Sequence, residues 1–279
     1  MISVYGGTGF VGSEFCKQNK NSIVIDRNQS KPESEKVLYF ISTVDNYNVY
    51  KDPYLDVNTN LVKLIDVLES CRENKVKEFN FISSWFVYGM QSELPVKETH
   101  ACDPMGFYSI TKYAAEKLIQ SYCKTFDMNY KIMRLGNVIG ENATKVSLQR
   151  NALQQIIKDL INGDPVKLYN NGSDIRDFIH VSDCARAIKL CMENGDMNEI
   201  YNISNGEGNT IGELVNHSLK FFESKSEITY VEPPHFHKSV QAKDMILDNT
   251  KLKSCGYSPD ISIHTAIELI TERYLNERN

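Results

Sequence analysis

The chain has 279 residues, 41% of them apolar, enough for one large core or two small ones. A formal net charge of −5, with lysines and arginines interleaved among acids, leaves no basic stripe for a phosphate backbone, so nucleic acid is not an expected partner. No apolar run reaches the ~18 residues of a membrane span, and Met1 opens a short strand feeding a glycine turn instead of a signal peptide, so the expectation is a soluble, cytoplasmic protein without membrane partners.

Short apolar runs at Ile2–Tyr5, Ile23–Ile25, Val37–Ile41, Phe79–Ile82 and Lys131–Leu135 read as buried strands. Helical patterns lie between them. The clearest runs from Pro53 to Glu73, where Leu55, Asn58, Leu61, Val62, Ile65, Leu68 and Glu69 recur at a spacing of about 3.6. A second starts near Phe107 and carries Tyr113, Leu118 and Tyr122. Strand and helix in alternation predict an α/β fold, a doubly wound Rossmann-type parallel sheet. Past Gly140 the rhythm breaks into stretches such as NNGSDIRD and NGEGNTIGE, which mark a smaller C-terminal lobe. The expected division is 1–140 with 182–204 for the sheet domain and 141–181 with 205–279 for the lobe. Only about ten residues separate Asp26 from the strand at Val37, too few for a helix and a further strand, so the sheet is expected to lack one outer strand.

Gly6, Gly9 and Gly12 follow the first strand and open a helix, the arrangement that lets a pyrophosphate approach backbone N–H groups at a helix N-terminus. Asp26 ends the second strand 20 residues after Gly6, where a carboxylate accepts hydrogen bonds from an adenosine ribose. The pair points to a dinucleotide. Asp26 repels a 2′-phosphate and favours NAD over NADP, whereas Arg27 beside it attracts one. Thr8, Phe10 and Val11 of the same loop, and Ser42 after the third strand, complete the expected cofactor contacts.

Tyr108 and Lys112 stand four apart in FYSITKYAAEK, so they share one helix face. Lowering a tyrosine from a pKa of about 10 to about 7 takes roughly 4 kcal/mol, which a neighbouring ammonium, a nicotinamide cation and a helix N-terminus are expected to supply. Ser84, after the Phe79–Ile82 strand, is placed to donate to the same substrate oxygen. Such a triad moves a proton while the nicotinamide ring takes hydride from the same carbon.

The ordered set GGTGFVG, Asp26, Pro53 to Asn60, SSWFVYG, Tyr108/Lys112, RLGNVIG and RDFIHVSD closely resembles the extended short-chain dehydrogenase/reductases, the NAD-dependent epimerase/dehydratase group acting on nucleotide sugars. The resemblance covers nearly the whole chain. It implies Ser84, Tyr108 and Lys112 as catalytic residues, Asn137 and Arg176 as contacts of the nucleotide diphosphate, Lys238 as a further phosphate ligand, and Asn60 as a structural tie. It also implies a homodimer through the two helices named above. Members that dehydrate or decarboxylate carry acidic residues directly after the catalytic hydroxyl, and double-epimerising reductases carry a cysteine there. Here those positions are Trp85 and Phe86, which exchange no proton and are expected to face the substrate or the core. The reading is therefore a sugar-nucleotide 4-epimerase working through a transient 4-keto sugar. The alternatives are a 4-keto-sugar reductase with the same triad and a non-catalytic dinucleotide-binding module.

Seven cysteines include no Cys-x-x-Cys and no histidine at metal spacing, so reduced thiols and no metal are expected. His235 and His237 after two prolines read as a surface loop, and His180 as a satisfied, partly buried side chain.

Overall fold

In the computed structural model, which describes residues 1–278, six parallel strands form the main sheet in the order β2-β1-β3-β4-β5-β9. They are β1 (Ile2–Tyr5), β2 (Ser22–Ile25), β3 (Lys36–Tyr39), β4 (Glu78–Ser84), β5 (Asn129–Leu135) and β9 (Glu199–Ile203). A parallel sheet needs both faces covered. Successive side chains point to opposite faces, so Val4 and Leu38 meet α1 (Phe10–Gln18) and α6 (Val181–Asn194), whereas Tyr5, Val37 and Tyr39 meet α3 (Lys63–Glu73) and α4 (Phe107–Thr125). The third strand ends at Tyr39 and not at Ile41, and the fourth extends to Ser84. The extension places Ser84 at the carboxyl edge of the sheet, where open α/β sheets bind their ligands.

The missing outer strand is replaced by a tether. After Ile25 at the sheet edge, the chain must return to the amino end of β3 on the far side of β1, a crossover that a helix ordinarily makes. Here residues 26–35 run across the sheet face instead. Tyr5 Oη donates to the Ser30 carbonyl at 2.6 Å, Glu33 N donates to Ser3 Oγ at 2.8 Å, and Ser3 N donates to Ser34 Oγ at 3.0 Å. The edge strand β2 consequently has little cover, and Val24 is 44% exposed.

The helix expected from Pro53 to Glu73 begins at Leu55 and is interrupted: α2 (Leu55–Val57) passes into a π-turn at Asn58–Val62 and then into α3. The wider turn rotates the stripe that reaches the core. Leu64, Val67, Leu68 and Cys71 are buried, whereas Leu55, Val62 and Ile65, which follow the 3.6 spacing, are exposed. Asn60 in the π-turn is buried, with Oδ1 accepting from Thr43 N at 2.9 Å and Ser42 Oγ at 3.0 Å, and Nδ2 donating to Thr43 Oγ1 at 2.8 Å and Thr111 Oγ1 at 2.9 Å. It joins the loop after β3 to α4, the structural tie expected of it. Asn60→Ala removes a partner from one buried N–H and three hydroxyls, so urea denaturation should show a loss of about 2–3 kcal/mol with an unchanged m-value.

The smaller lobe is built on β8 (Ile175–His180), which pairs in parallel with β6 (Asn137–Ile139) and antiparallel with β10 (Gly208–Thr210), and on the parallel pair β7 (Val166–Tyr169) and β11 (Ile228–Val231). Its core gathers α5 (Ala152–Asn162), α7 (Ile211–Ser218) and α10 (Ile263–Arg278) around Leu160, Leu214 and Ile267. The remaining helices are α8 (His235–Val240) and α9 (Thr250–Ser254). We keep the division at residue 140 as a proposal, with two packing exceptions. β6 pairs in the lobe's sheet, and Leu252, Cys255 and Tyr257 pack into the core under β1. His180 is buried, with Nε2 2.8 Å from Glu141 and Nδ1 2.9 Å from Ser182 Oγ, which satisfies both ring nitrogens. All seven cysteines are free and five are buried. Among the described residues no helix is long and apolar enough to cross a membrane, and no group of three or more His, Cys, Asp or Glu side chains is arranged to hold a metal.

Candidate active site

A cleft of about 970 Å³ runs between the sheet's carboxyl edge and the lobe. At one end lies the turn between β1 and α1. Gly6 adopts φ +79°, a left-handed conformation that costs glycine nothing, and a Cβ on Gly12 would stand 2.4 Å from the Gly6 carbonyl oxygen. Helix α1 therefore packs directly on the turn, with Gly9 as its N-cap, and Thr8, Gly9, Phe10, Val11 and Gly12 line the cleft. Such a cradle, closed to side chains and open to a ligand at a helix N-terminus, fits a dinucleotide pyrophosphate. Ser42, held by Asn60, lines the same end. Asp26 and Arg27 are exposed at the end of β2 and stand outside the lining, with Asp26 Oδ1 accepting from Asn28 N at 2.9 Å.

At the centre of the cleft, β4 and α4 bring the predicted triad together. Ser84 caps the short 3-10 turn at Trp85–Tyr88, its Oγ accepting from Phe86 N at 3.4 Å. Tyr108 and Lys112 lie in the first two turns of α4, which starts tightly because Gly106 N donates to Ser109 Oγ at 2.9 Å. Lys112 Nζ donates to the Ile82 carbonyl at 2.5 Å and sits 4.0 Å from the centre of the Phe81 ring. The charges do not fall as the spacing alone predicted. Burial pushes Tyr108 up to about 12, with the Asp56 and Asp45 carboxylates adding to the rise and a hydrogen bond from Ser84 opposing it. Burial also pulls Lys112 down to about 7, against the opposing Glu116 carboxylate. The protein's own groups thus hold Tyr108 as a phenol, because desolvation outweighs the hydrogen bond from Ser84.

The far wall is aromatic. Trp85 and Phe86 stack at 4.0 Å and 22°, and the Phe86 ring meets Tyr108 edge-on at 5.8 Å. Trp85 both lines the cleft and packs with Val87, Val96 and Leu247. Asn137 lines the cleft while its Nδ2 donates to the Asp177 carbonyl at 3.1 Å. Arg176 lines it too, but its guanidinium is engaged by the carbonyls of Ile175, Lys243 and Ala242. Lys238 is not brought to the site. Its side chain is exposed and paired with Glu232 at 2.8 Å, and His237 beside it enters the lining.

His235 and His237 lie on helix α8 and not on a loop. Phe236 is gripped edge-on by Tyr47 at 4.9 Å and Tyr50 at 4.8 Å, and His237 Nδ1 lies 3.1 Å from Tyr47 Oη. These contacts join the lobe to the segment after β3. Neither Tyr47 nor His237 was marked by the motif reading, because nearly two hundred residues separate them and nothing local signals that they meet. A second miss is Glu116, whose place one turn after Lys112 was the only available sign.

Residues 34–204 match the family described as NAD dependent epimerase/dehydratase. The chain belongs to this family. Among its relatives, a Methanocaldococcus jannaschii protein with a provisional UDP-glucose 4-epimerase name is 27% identical over 97% of both chains. An ADP-L-glycero-D-manno-heptose-6-epimerase of Brachyspira hyodysenteriae is 24% identical over 98% of this chain and 97% of its own. The fold matches that of the Thermotoga maritima UDP-glucose 4-epimerase with UDP-glucose, at a TM-score of 0.88 and 24% identity over 100% of this chain and 99% of the other. It also matches the Thermus thermophilus UDP-glucose 4-epimerase in complex with NAD, at a TM-score of 0.82 and 22% identity over 98% of each chain. At these identities the likeness shows that this epimerase/dehydratase-family chain shares the overall fold of both structures.

Proposed function

We propose that this protein is an NAD-dependent nucleotide-sugar 4-epimerase. The observation that carries the reading is the meeting of Ser84, Tyr108 and Lys112 in one cleft with the glycine cradle. Gly6 to Gly12 and the N-terminus of α1 would hold the dinucleotide, and NAD bound there would supply a hydride acceptor at C4 together with a positive charge. That charge favours the Tyr108 phenolate, which the protein alone disfavours. Tyr108 Oη then takes the proton of the 4-hydroxyl, Ser84 Oγ holds the same oxygen, and the proton returns from Tyr108 when the opposite face is reduced. Trp85 and Phe86 exclude water and offer no acid or base, which speaks against dehydration and decarboxylation. The relatives named above, which carry UDP-sugar and ADP-sugar epimerase names, support a nucleotide-diphosphate sugar as substrate.

A 4-keto-sugar reductase with the same triad is the second reading, favoured by Arg27, exposed beside Asp26 where a 2′-phosphate would lie. To separate them, the dinucleotide released from protein purified without added cofactor is identified by mass spectrometry, and the same sample is given UDP-, dTDP-, CDP- and GDP-sugars. Co-purified NAD, an isomerised sugar and no net absorbance change at the nicotinamide band support the epimerase. Stoichiometric consumption of NADPH with a 4-keto sugar would install the reductase.

We further take the exposed apolar face of Leu55, Val62 and Ile65 with Phe107, Ile110 and Leu118 as a homodimer interface, and the reduced thiols as fitting a cytoplasmic enzyme. Ile65→Glu should weaken self-association by about 30-fold or more, read by sedimentation equilibrium. Unchanged association would remove this face from consideration.

A further inference from the structure

Behind the triad lies a buried polar cluster that takes no part in proton transfer. Glu116 Oε1 accepts from Ser83 Oγ at 2.5 Å and from Arg134 Nε at 3.0 Å, and Oε2 accepts from Arg134 Nη2 at 2.6 Å. All three side chains are essentially inaccessible. Ser83 immediately precedes Ser84 on β4, Glu116 lies one turn beyond Lys112 on α4, and Arg134 comes from β5. The Arg134 guanidinium also sits 4.6 Å from the Tyr88 ring, and Tyr88 Oη donates to Asn202 on β9 at 2.7 Å.

A buried ion pair is a weak source of stability, since apolar residues of similar volume often serve as well or better. What this pair adds is a fixed relation among elements. It ties the helix that carries Tyr108 and Lys112 to the strand that ends in Ser84.

We propose that Glu116, clamped by Ser83 and Arg134, is a positioning residue that sets both the placement and the charge of Lys112 against Tyr108 and Ser84. The proposal rests on the assignment of proton transfer to that triad. Lys112 is faced by Glu116 from its own helix and by the Ile82 carbonyl and the Phe81 ring from β4, and it lines the same cleft as Tyr108 and Ser84. Glu116 is faced by Arg134, by Ser83 and by Cys102 from the segment before α4. Glu116 is the one carboxylate acting on Lys112, and it works against the burial that would strip the ammonium of its proton. Arg134 limits how strongly that carboxylate acts, so the clamp adjusts the charge as well as the geometry.

The test compares Glu116→Gln and the double replacement Glu116→Leu/Arg134→Met with the wild-type protein. Both variants should fold, the double one melting close to wild type because no charge is left unpaired. The expected result is a kcat at least about tenfold lower with KM little changed, as misplacement of a catalytic group produces. The alkaline limb of kcat against pH should also move to lower pH, because Lys112 then loses its proton earlier. Full activity with an unshifted profile in the double variant would reduce the cluster to packing and overturn the proposal. NMR of isotopically labelled lysine gives a readout that needs no turnover: the Lys112 titration midpoint should fall in Glu116→Gln, and an unmoved midpoint would overturn the inference. If wild type turns over no nucleotide sugar, the epimerase reading fails, while the lysine titration still decides the role of Glu116.

Discussion

Tyr108→Phe is expected to lower turnover by about 10³-fold or more while leaving the fold and dinucleotide binding in place. The substitution removes one oxygen. The ring keeps its edge contact with Phe86, and the hydroxyl's hydrogen bond with Ser84 is worth about 1 kcal/mol to the fold. Catalysis loses far more, because no other group in the cleft's centre can take its place: Lys112 is held against the Ile82 carbonyl, and Trp85 and Phe86 titrate not at all. Sugar interconversion followed by NMR, alongside mass-spectrometric determination of bound cofactor, provides the check. Turnover within tenfold of wild type would end the assignment of Tyr108 as the proton carrier. Loss of turnover in a protein that still binds NAD marks an enzyme, whereas a dinucleotide-binding module would keep its partner-dependent behaviour.

Gly12→Ala should have the second largest effect, this time on the cofactor. Its new methyl would stand 2.4 Å from the Gly6 carbonyl oxygen and 3.1 Å from the Gly7 Cα, all of it backbone that cannot rotate aside. Helix α1 must move off the turn, which costs about 1–3 kcal/mol of stability and pulls the helix N-terminus away from the pyrophosphate. Dinucleotide affinity should fall at least about tenfold, measured by calorimetry. Gly9→Ala is the control. Its Cβ would lie 3.3 Å from the same oxygen, on a backbone with φ −75° that alanine adopts freely, so the fold should lose only about 1 kcal/mol, as for an N-cap change. Equal damage from the two substitutions would show that helix-to-turn contact is not what the cradle depends on.

The glycine turn, the Tyr108/Lys112 pair and the placement of Ser84 were all legible in the sequence, and for one reason: each depends on covalent neighbours. A strand feeding a turn and a helix fixes where the next six residues go, and four residues along a helix bring two side chains to one face whatever surrounds them. The alternation of apolar runs likewise predicted a parallel sheet, and the short link after Asp26 predicted its missing strand. Which residues between Pro53 and Glu73 reach the core was not legible, because a π-turn at Asn58–Val62 shifts the helical phase, and Asn60 in that turn makes four hydrogen bonds with Ser42, Thr43 and Thr111.

Local spacing thus determined the fold class and the glycine cradle, and together with the family resemblance it named Ser84, Tyr108 and Lys112, which the fold brings into one cleft. The tertiary structure alone decided that His237 and not Lys238 faces the cleft, that Arg176 is tied to three carbonyls, and that Tyr108 is held as a phenol beside a lysine drawn down to about 7. Those properties depend on burial and on partners far away in the chain, and desolvation has no signature in the spacing of residues.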